Sequence, residues 1–253
     1  MSNDKKYVLV ACEESQRVCN AFNSLWGGIT AYSNDIIKCS GGHPETHIMD
    51  NALSVINGGS FKLQNGKWIE VPHWDLIIAH PPCTYLSNAA TGMHSLNKTP
   101  ENRIEGRTLE RISAMRFFMD MIRANCEHIA VENPVGIMNT AFRKPDQIIE
   151  PYQFADSTDD AENYVTKATC LWLKGLPPLK TNSLARPDNV SMYGRKPSGI
   201  GGYLYTDRHA RLPRTQTSIS MERDSVLRSK TFPGIARAMA EQWGRYILED
   251  NEK

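Results

Sequence analysis

Short, uninterrupted apolar runs recur along the chain, each stopped by polar residues, glycine or proline. Tyr7-Val8-Leu9-Val10-Ala11 and Trp74-Asp75-Leu76-Ile77-Ile78-Ala79 are two of them. Such runs predict strands buried on both faces, because a half-exposed strand alternates apolar and polar residues. Residues 29–33, 129–131 and 169–173 read the same way. Between these runs, apolar residues fall at helical spacing and predict helices over about residues 15–25, 51–56, 107–125 and 235–248. In the third helix Leu109, Ile112, Met115, Phe118, Met119 and Ile122 mark the expected core face, with the methionines as core filler. Asn65-Gly66, between the strand-like arms of residues 61–71, predicts a hairpin with a primed turn. Residues 180–230 are rich in Gly, Pro, Arg and polar residues and show little periodicity.

Strands alternating with helices imply an α/β fold: a mostly parallel sheet with helices on both faces. Ligands of such sheets bind beyond the carboxyl ends of the strands. The chemically interesting residues gather at those ends: residues 12–15, Asp35, Asp50, residues 80–83 and residues 132–134. A chain of 253 residues suits one large domain with a substantial core. The expected organisation is a catalytic and cofactor-binding domain (1–179), a short basic recognition region (180–228) and a C-terminal helix returning to the first domain (229–253).

Composition adds five constraints. No run of 18 apolar residues occurs, so no transmembrane helix is expected. The opening Met-Ser-Asn-Asp-Lys-Lys-Tyr has no signal-peptide core, which points to the cytoplasm. Six scattered cysteines without a Cys-x-x-Cys pair fit reduced thiols. Cys39-x3-His43-x3-His47 lacks a fourth ligand and reads as a loop, so no metal is expected. The net charge is +1, but residues 180–230 carry ten Lys and Arg against four Asp and Glu. That segment suits a polyanion such as DNA, or is an ordinary solvated surface.

Cys83 is the first candidate for chemistry. Pro81 and Pro82 stiffen the backbone just past a buried strand and present the thiol at the sheet's edge. Carbon 5 of a pyrimidine is a poor nucleophile. Thiolate addition to carbon 6 gives an enamine-like ring whose carbon 5 attacks an electrophile, and a thiolate both adds and leaves well. Glu132, in Glu132-Asn133-Pro134, is placed to hold the base's Watson–Crick edge, either protonated or hydrogen-bonded. Asp35 ends a strand where an acid accepts hydrogen bonds from a ribose. Asp50, before Asn51, either binds an adenine amino group or caps the following helix.

These residues stand in a recognisable order. The chain resembles the cytosine-5 DNA methyltransferase family, and in particular its compact phage- and prophage-type members. Pro81-Pro82-Cys83 resembles the family's catalytic loop, and Glu132-Asn133-Pro134 its Glu-Asn-Val motif. The resemblance implies a Rossmann-like methyltransferase fold and S-adenosylmethionine as cofactor. It implies a cofactor pocket from Ala11, Cys12, Glu13, Ser15, Asp35, Asp50, Asn51 and Pro81. Ser229-Lys230-Thr231-Phe232-Pro233 resembles the closing motif that returns to this pocket, through Ser229 and Thr231. Lys167 and Thr169 stand where the family has an Arg-x-Arg pair contacting the base, and Asn133 is implied at the substrate. Arg208, Arg211 and Arg214 would meet DNA phosphates. Lys167 and Thr169 are a departure from that Arg-x-Arg pair, and two more are plain. Ala11-Cys12-Glu13-Glu14-Ser15 replaces a glycine-rich loop, and the recognition region spans only about fifty residues. Other readings are a pyrimidine-modifying enzyme acting on free nucleotides or using a modified methyl donor, and a non-catalytic nucleic-acid-binding relative. A phage-encoded member would work in the host cytoplasm.

Overall fold

A computed structural model describes residues 5–88, 101–187, 195–197, 203–205 and 230–249. Seven strands form one mixed sheet: β1 (Lys6–Ala11), β2 (Ile29–Asp35), β3 (His47–Met49), β6 (Leu76–Ala79), β7 (Ile129–Pro134), β8 (Gln147–Ile149) and β9 (Thr169–Lys174). Their order is β3-β2-β1-β6-β7-β9-β8. The first five run parallel, and β9 is antiparallel to both β7 and β8. Counting sheet strands alone, the first five follow the doubly wound order 3-2-1-4-5. The last strand in sequence then inserts backwards between its two predecessors. Strands β4 (Gly59–Lys62) and β5 (Trp68–Val71) form a separate hairpin, and β10 (Arg195–Pro197) pairs with β11 (Tyr203–Tyr205).

The helices are α1 (Arg17–Leu25), α2 (Ala52–Val55), α3 (Glu101–Ile122), α4 (Met138–Ala141) and α5 (Pro233–Glu249). Two cores flank the sheet, and the strands feed them alternately. Val8, Val10, Leu76, Ile78 and Leu171 join α1 and α5 on one face. Leu9, Ile77, Ile129, Val131 and Trp172 join α2, α3 and the hairpin on the other. Both faces are covered, so every position in β1 and β6 except the start of β1 is apolar and buried. Helix α5 lies on α1, where the Trp26 indole donates to the Ala240 carbonyl at 2.7 Å.

Four local expectations need correction. Helix α1 begins at Arg17 instead of residue 15, because Gln16 sits in the left-handed region at φ 57°. The hairpin turn is not a primed turn: Asn65 keeps a negative φ and Gly66 alone takes φ 92°. Gly66 N donates to Leu63 O and Leu63 N to Lys67 O, the pattern of a three-residue loop ending in a glycine bulge. Helix α3 runs from Glu101 to Ile122, several residues earlier than its apolar spacing suggests. Its expected core residues Leu109 and Ile112 are 62% and 55% exposed, while Phe118, Met121 and Ile122 are buried. Finally, strand β3 forms within residues read as loop, because His47 is buried by bonds to the Ser33 hydroxyl (2.8 Å) and the Ile37 carbonyl (2.9 Å).

Candidate active site

The chain runs outward from β1 to β2 and β3, then returns to lay β6 against the other side of β1. This reversal opens a crevice at the carboxyl ends of β1 and β6, the place where doubly wound sheets bind ligands. Ala11 and Ala79 are partners in register, and the backbone N–H of His80 donates to the Ala11 carbonyl at 2.9 Å. The loop 80–83 therefore starts directly beside residues 12–15.

A cavity of about 350 Å³ opens on one side of this crevice. Cys12, Asn34, Asp35, Ile36, Asp50 and Asn51 form its sheet side, and Pro82 and Tyr85 come from the loop after β6. Glu110, Ser113, Ala114 and Phe117 of α3 close it, one face of the helix at i, i+3, i+4 and i+7. Its charged lining residues are Asp35, Asp50 and Glu110, all acids. Burial raises the Asp35 pKa against the backbone N–H groups of Ile37 and Ile36, which lower it. The side-chain amide of Asn34 donates to Ile48 O and Asp50 O, while its buried oxygen has no partner. Asn51, not Asp50, caps α2 by accepting from Leu53 N, and Asp50 accepts from Asn51 N. Cys12 holds φ 60°, and burial with the Asp35 charge pushes its thiol up to about 12, so it stays neutral.

Of the other residues predicted for the cofactor, Ala11, Glu13, Ser15 and Pro81 lie outside this lining. Glu13 is engaged elsewhere: its two carboxylate oxygens accept from Val18 N (2.7 Å) and Cys19 N (3.2 Å) at the start of α1. Burial lifts its pKa to about 7, opposed by the His80 charge and these bonds. Thr231 is buried and its carbonyl accepts from Arg17 at 2.9 Å. Ser229, Arg208, Arg211 and Arg214 lie outside the described residues.

On the other side of the crevice stands a pair absent from the predicted roles. His80 Nδ1 lies 2.7 Å from Glu132 Oε2, and both side chains are largely buried. Burial lowers the His80 pKa, but the bond and charge of Glu132, helped by Glu13, outweigh it and the net shift is upward. Burial raises Glu132, yet His80 and Lys167 outweigh it and the net shift is downward. Glu132 is thus a hydrogen-bonded carboxyl that His80 and Lys167 hold below the ordinary carboxylate range. The sequence offered His80 only as the residue preceding two prolines. Its signal was a titratable side chain at the same strand end as Cys83.

Cys83 is exposed at the start of a turn, its carbonyl accepting from Leu86 N and Ser87 N at 3.0 Å. Desolvation and the Glu132 charge raise its pKa, and the Lys167 charge lowers it. Lys167 precedes β9, with its Nζ 5.6 Å from the centre of the Phe232 ring. Thr169 is buried opposite Pro134, its hydroxyl donating to Lys167 O. Asn133 is buried and its amide donates to Pro81 O at 2.7 Å, so it braces the Pro-Pro-Cys loop. The same loop is tied to the segment after β7 by Asn88 N to Val135 O and Ile137 N to Leu86 O. Gly136 permits this approach, since a Cβ there would overlap the Leu86 carbonyl.

Among the described residues, no group of three or more His, Cys, Asp or Glu side chains could hold a metal ion. His43 pairs with Glu45, and both ring nitrogens of His47 are engaged as above. No described helix is long and apolar enough to cross a membrane. Compared with known proteins, the chain matches no family model and no curated sequence.

Proposed function

We propose that the protein is an S-adenosylmethionine-dependent methyltransferase with a Rossmann-like methyltransferase fold, acting on carbon 5 of cytosine in DNA. One observation carries this reading. An exposed thiol on a braced Pro-Pro loop, an ionised carboxylate on the next strand and a ligand-sized cavity share one crevice.

The cavity fits the cofactor chemically. Among the described residues, three carboxylates and no Lys, Arg or His line it, which repels a phosphate-bearing dinucleotide and favours a cationic sulfonium. Asp35 would hold the ribose hydroxyls, and the unpartnered Asn34 oxygen and Asp50 would face donors of the ligand. When bound, this cofactor supplies an electrophilic methyl group.

The chain's own residues do the rest. The Cys83 thiolate forms a bond from Sγ to carbon 6, and the ring's π electrons shift to carbon 5, which becomes the nucleophile. Once carbon 5 has bonded to the methyl group, it gives its proton to water; that C–H electron pair restores the 5,6 double bond, and Sγ leaves as thiolate with the C–S pair. An ionised Glu132 is an acceptor only, so it matches the amino group of cytosine and not the carbonyl at the same place in uracil or thymine. Lys167 favours the thiolate by its charge. The basic region 180–230 would contact DNA. The reading is tested by incubating the purified protein with DNA and methyl-labelled cofactor. Label should appear on cytosine and vanish in Cys83→Ser. Label on pyrimidine nucleotides, or no label on varied DNA, would replace this reading.

A further inference from the structure

Helix α3 divides its charges. Glu110 faces the cavity, while Arg107 and Arg111, one turn apart on the adjoining flank, turn to the loop that follows Cys83. Arg111 Nε donates to the Tyr85 carbonyl at 3.1 Å. The Arg107 guanidinium lies 5.4 Å from the centre of the Tyr85 ring. Arg107 Nε and Arg111 Nη2 are buried and, among the described residues, have no hydrogen-bond partner. Among the described residues neither guanidinium has a carboxylate partner within salt-bridge distance. Like charges at i and i+4 oppose helix formation, and burial together with the Arg107 charge lowers the Arg111 pKa. An unneutralised cation pair with unsatisfied N–H groups is an incomplete structure. An oxyanion completes it, because guanidinium forks match phosphate geometry.

We propose that Arg107 and Arg111 form a phosphate site of the substrate, set beside the nucleophile by Tyr85. Tyr85 is two residues from Cys83, and in a nucleotide only a sugar ring separates the base from its phosphate. Its residues are other than those of the basic segment 180–230. The phosphate is either a phosphodiester of a nucleic acid strand or the monoester of a free nucleotide. The identity of the occupant rests on the reading of Cys83 as a pyrimidine nucleophile; the oxyanion chemistry does not.

Three probes separate the possibilities: a short single-stranded oligodeoxynucleotide containing one cytosine, deoxycytidine monophosphate, and phosphate-free deoxycytidine. Binding to the full chain is measured without methyl transfer. Arg107→Gln and Arg111→Gln should each weaken binding of a phosphate-bearing probe about tenfold and leave deoxycytidine unchanged. For the oligonucleotide, the double variant should also have a shallower dependence on salt, by about one unit of log slope. Loss for the oligonucleotide alone identifies a phosphodiester; loss for the monophosphate as well identifies a free nucleotide. Arg111→Lys keeps the charge without the fork and should lie between wild type and Gln, which covers any Gln variant that fails to fold. Wild-type binding that gains nothing from a phosphate overturns the proposal. So does unchanged affinity in a folded variant. Absence of methyl transfer in the wild type would remove the proposed activity and leave this site standing.

Discussion

His80 and Glu132 meet across neighbouring strands, Nδ1 to Oε2 at 2.7 Å, at the carboxyl ends of β6 and β7. Their opposite pKa shifts define one ion pair. His80 is raised, so its contribution is present at low pH and is lost as pH rises through its folded value. Glu132 is lowered, so its contribution is present at high pH and is lost as pH falls through its folded value. The pair therefore stabilises fully between the ordinary values of 4.5 and 6.5. Glu132→Gln should cost about 3 kcal/mol in that window and less on either side, measured by urea unfolding across pH. In the same variant His80 should titrate below an ordinary histidine by NMR, since burial is then opposed only by the more distant Glu13. A stability difference that does not change with pH would refute the ion pair.

The reactivity of Cys83 should report its two charged neighbours. Its pKa is raised, so alkylation by iodoacetamide should be slow at neutral pH and accelerate as pH rises. Glu132→Gln removes a charge that raises the pKa and should speed alkylation. Lys167→Met removes one that lowers it and should slow alkylation. Peptide mass spectrometry, with Cys83→Ser as the blank, assigns the label among six cysteines. Identical rates in all three proteins would show that neither charge acts on the thiol.

Glu13 should make the protein lose stability as pH rises. Its folded pKa of about 7 exceeds the ordinary 4.5, so the native state binds the extra proton between these values. Stability then falls with pH across that range, by about 3 kcal/mol in all. Glu13→Gln should remove this slope while keeping one acceptor for the start of α1. Urea unfolding at pH 5, 6 and 7 measures it; equal slopes in both proteins would refute the raised pKa.

The parallel core of the sheet was legible because strands buried on both faces must be apolar throughout, as in Val8-Leu9-Val10 and Leu76-Ile77-Ile78. Cys83, Asp35 and Glu132 were legible because the ends of such strands are where a sheet presents polar side chains. Other features have no local signature. The far wall of the cavity comes from Glu110, Ser113 and Phe117 of a helix whose apolar spacing suggested a different inner face. Strand β3 is three residues long and begins with a histidine whose burial depends on partners in another strand and loop. The brace from the Asn133 amide to the Pro81 carbonyl leaves no mark in the sequence either, because only the folded chain brings the two together.

The backward run of β9 has a geometric consequence. In a strand parallel to β7, the residues that precede it lie at the amino edge of the sheet, away from the crevice. Reversal puts the entry to β9, with Thr169 opposite Pro134, at the carboxyl edge instead. Six residues of strand span about 17 Å, so a parallel β9 would carry Lys167 that far from Glu132. The direction of a single strand thus decides which of its two flanking loops reaches the crevice, and here it is the one that comes before.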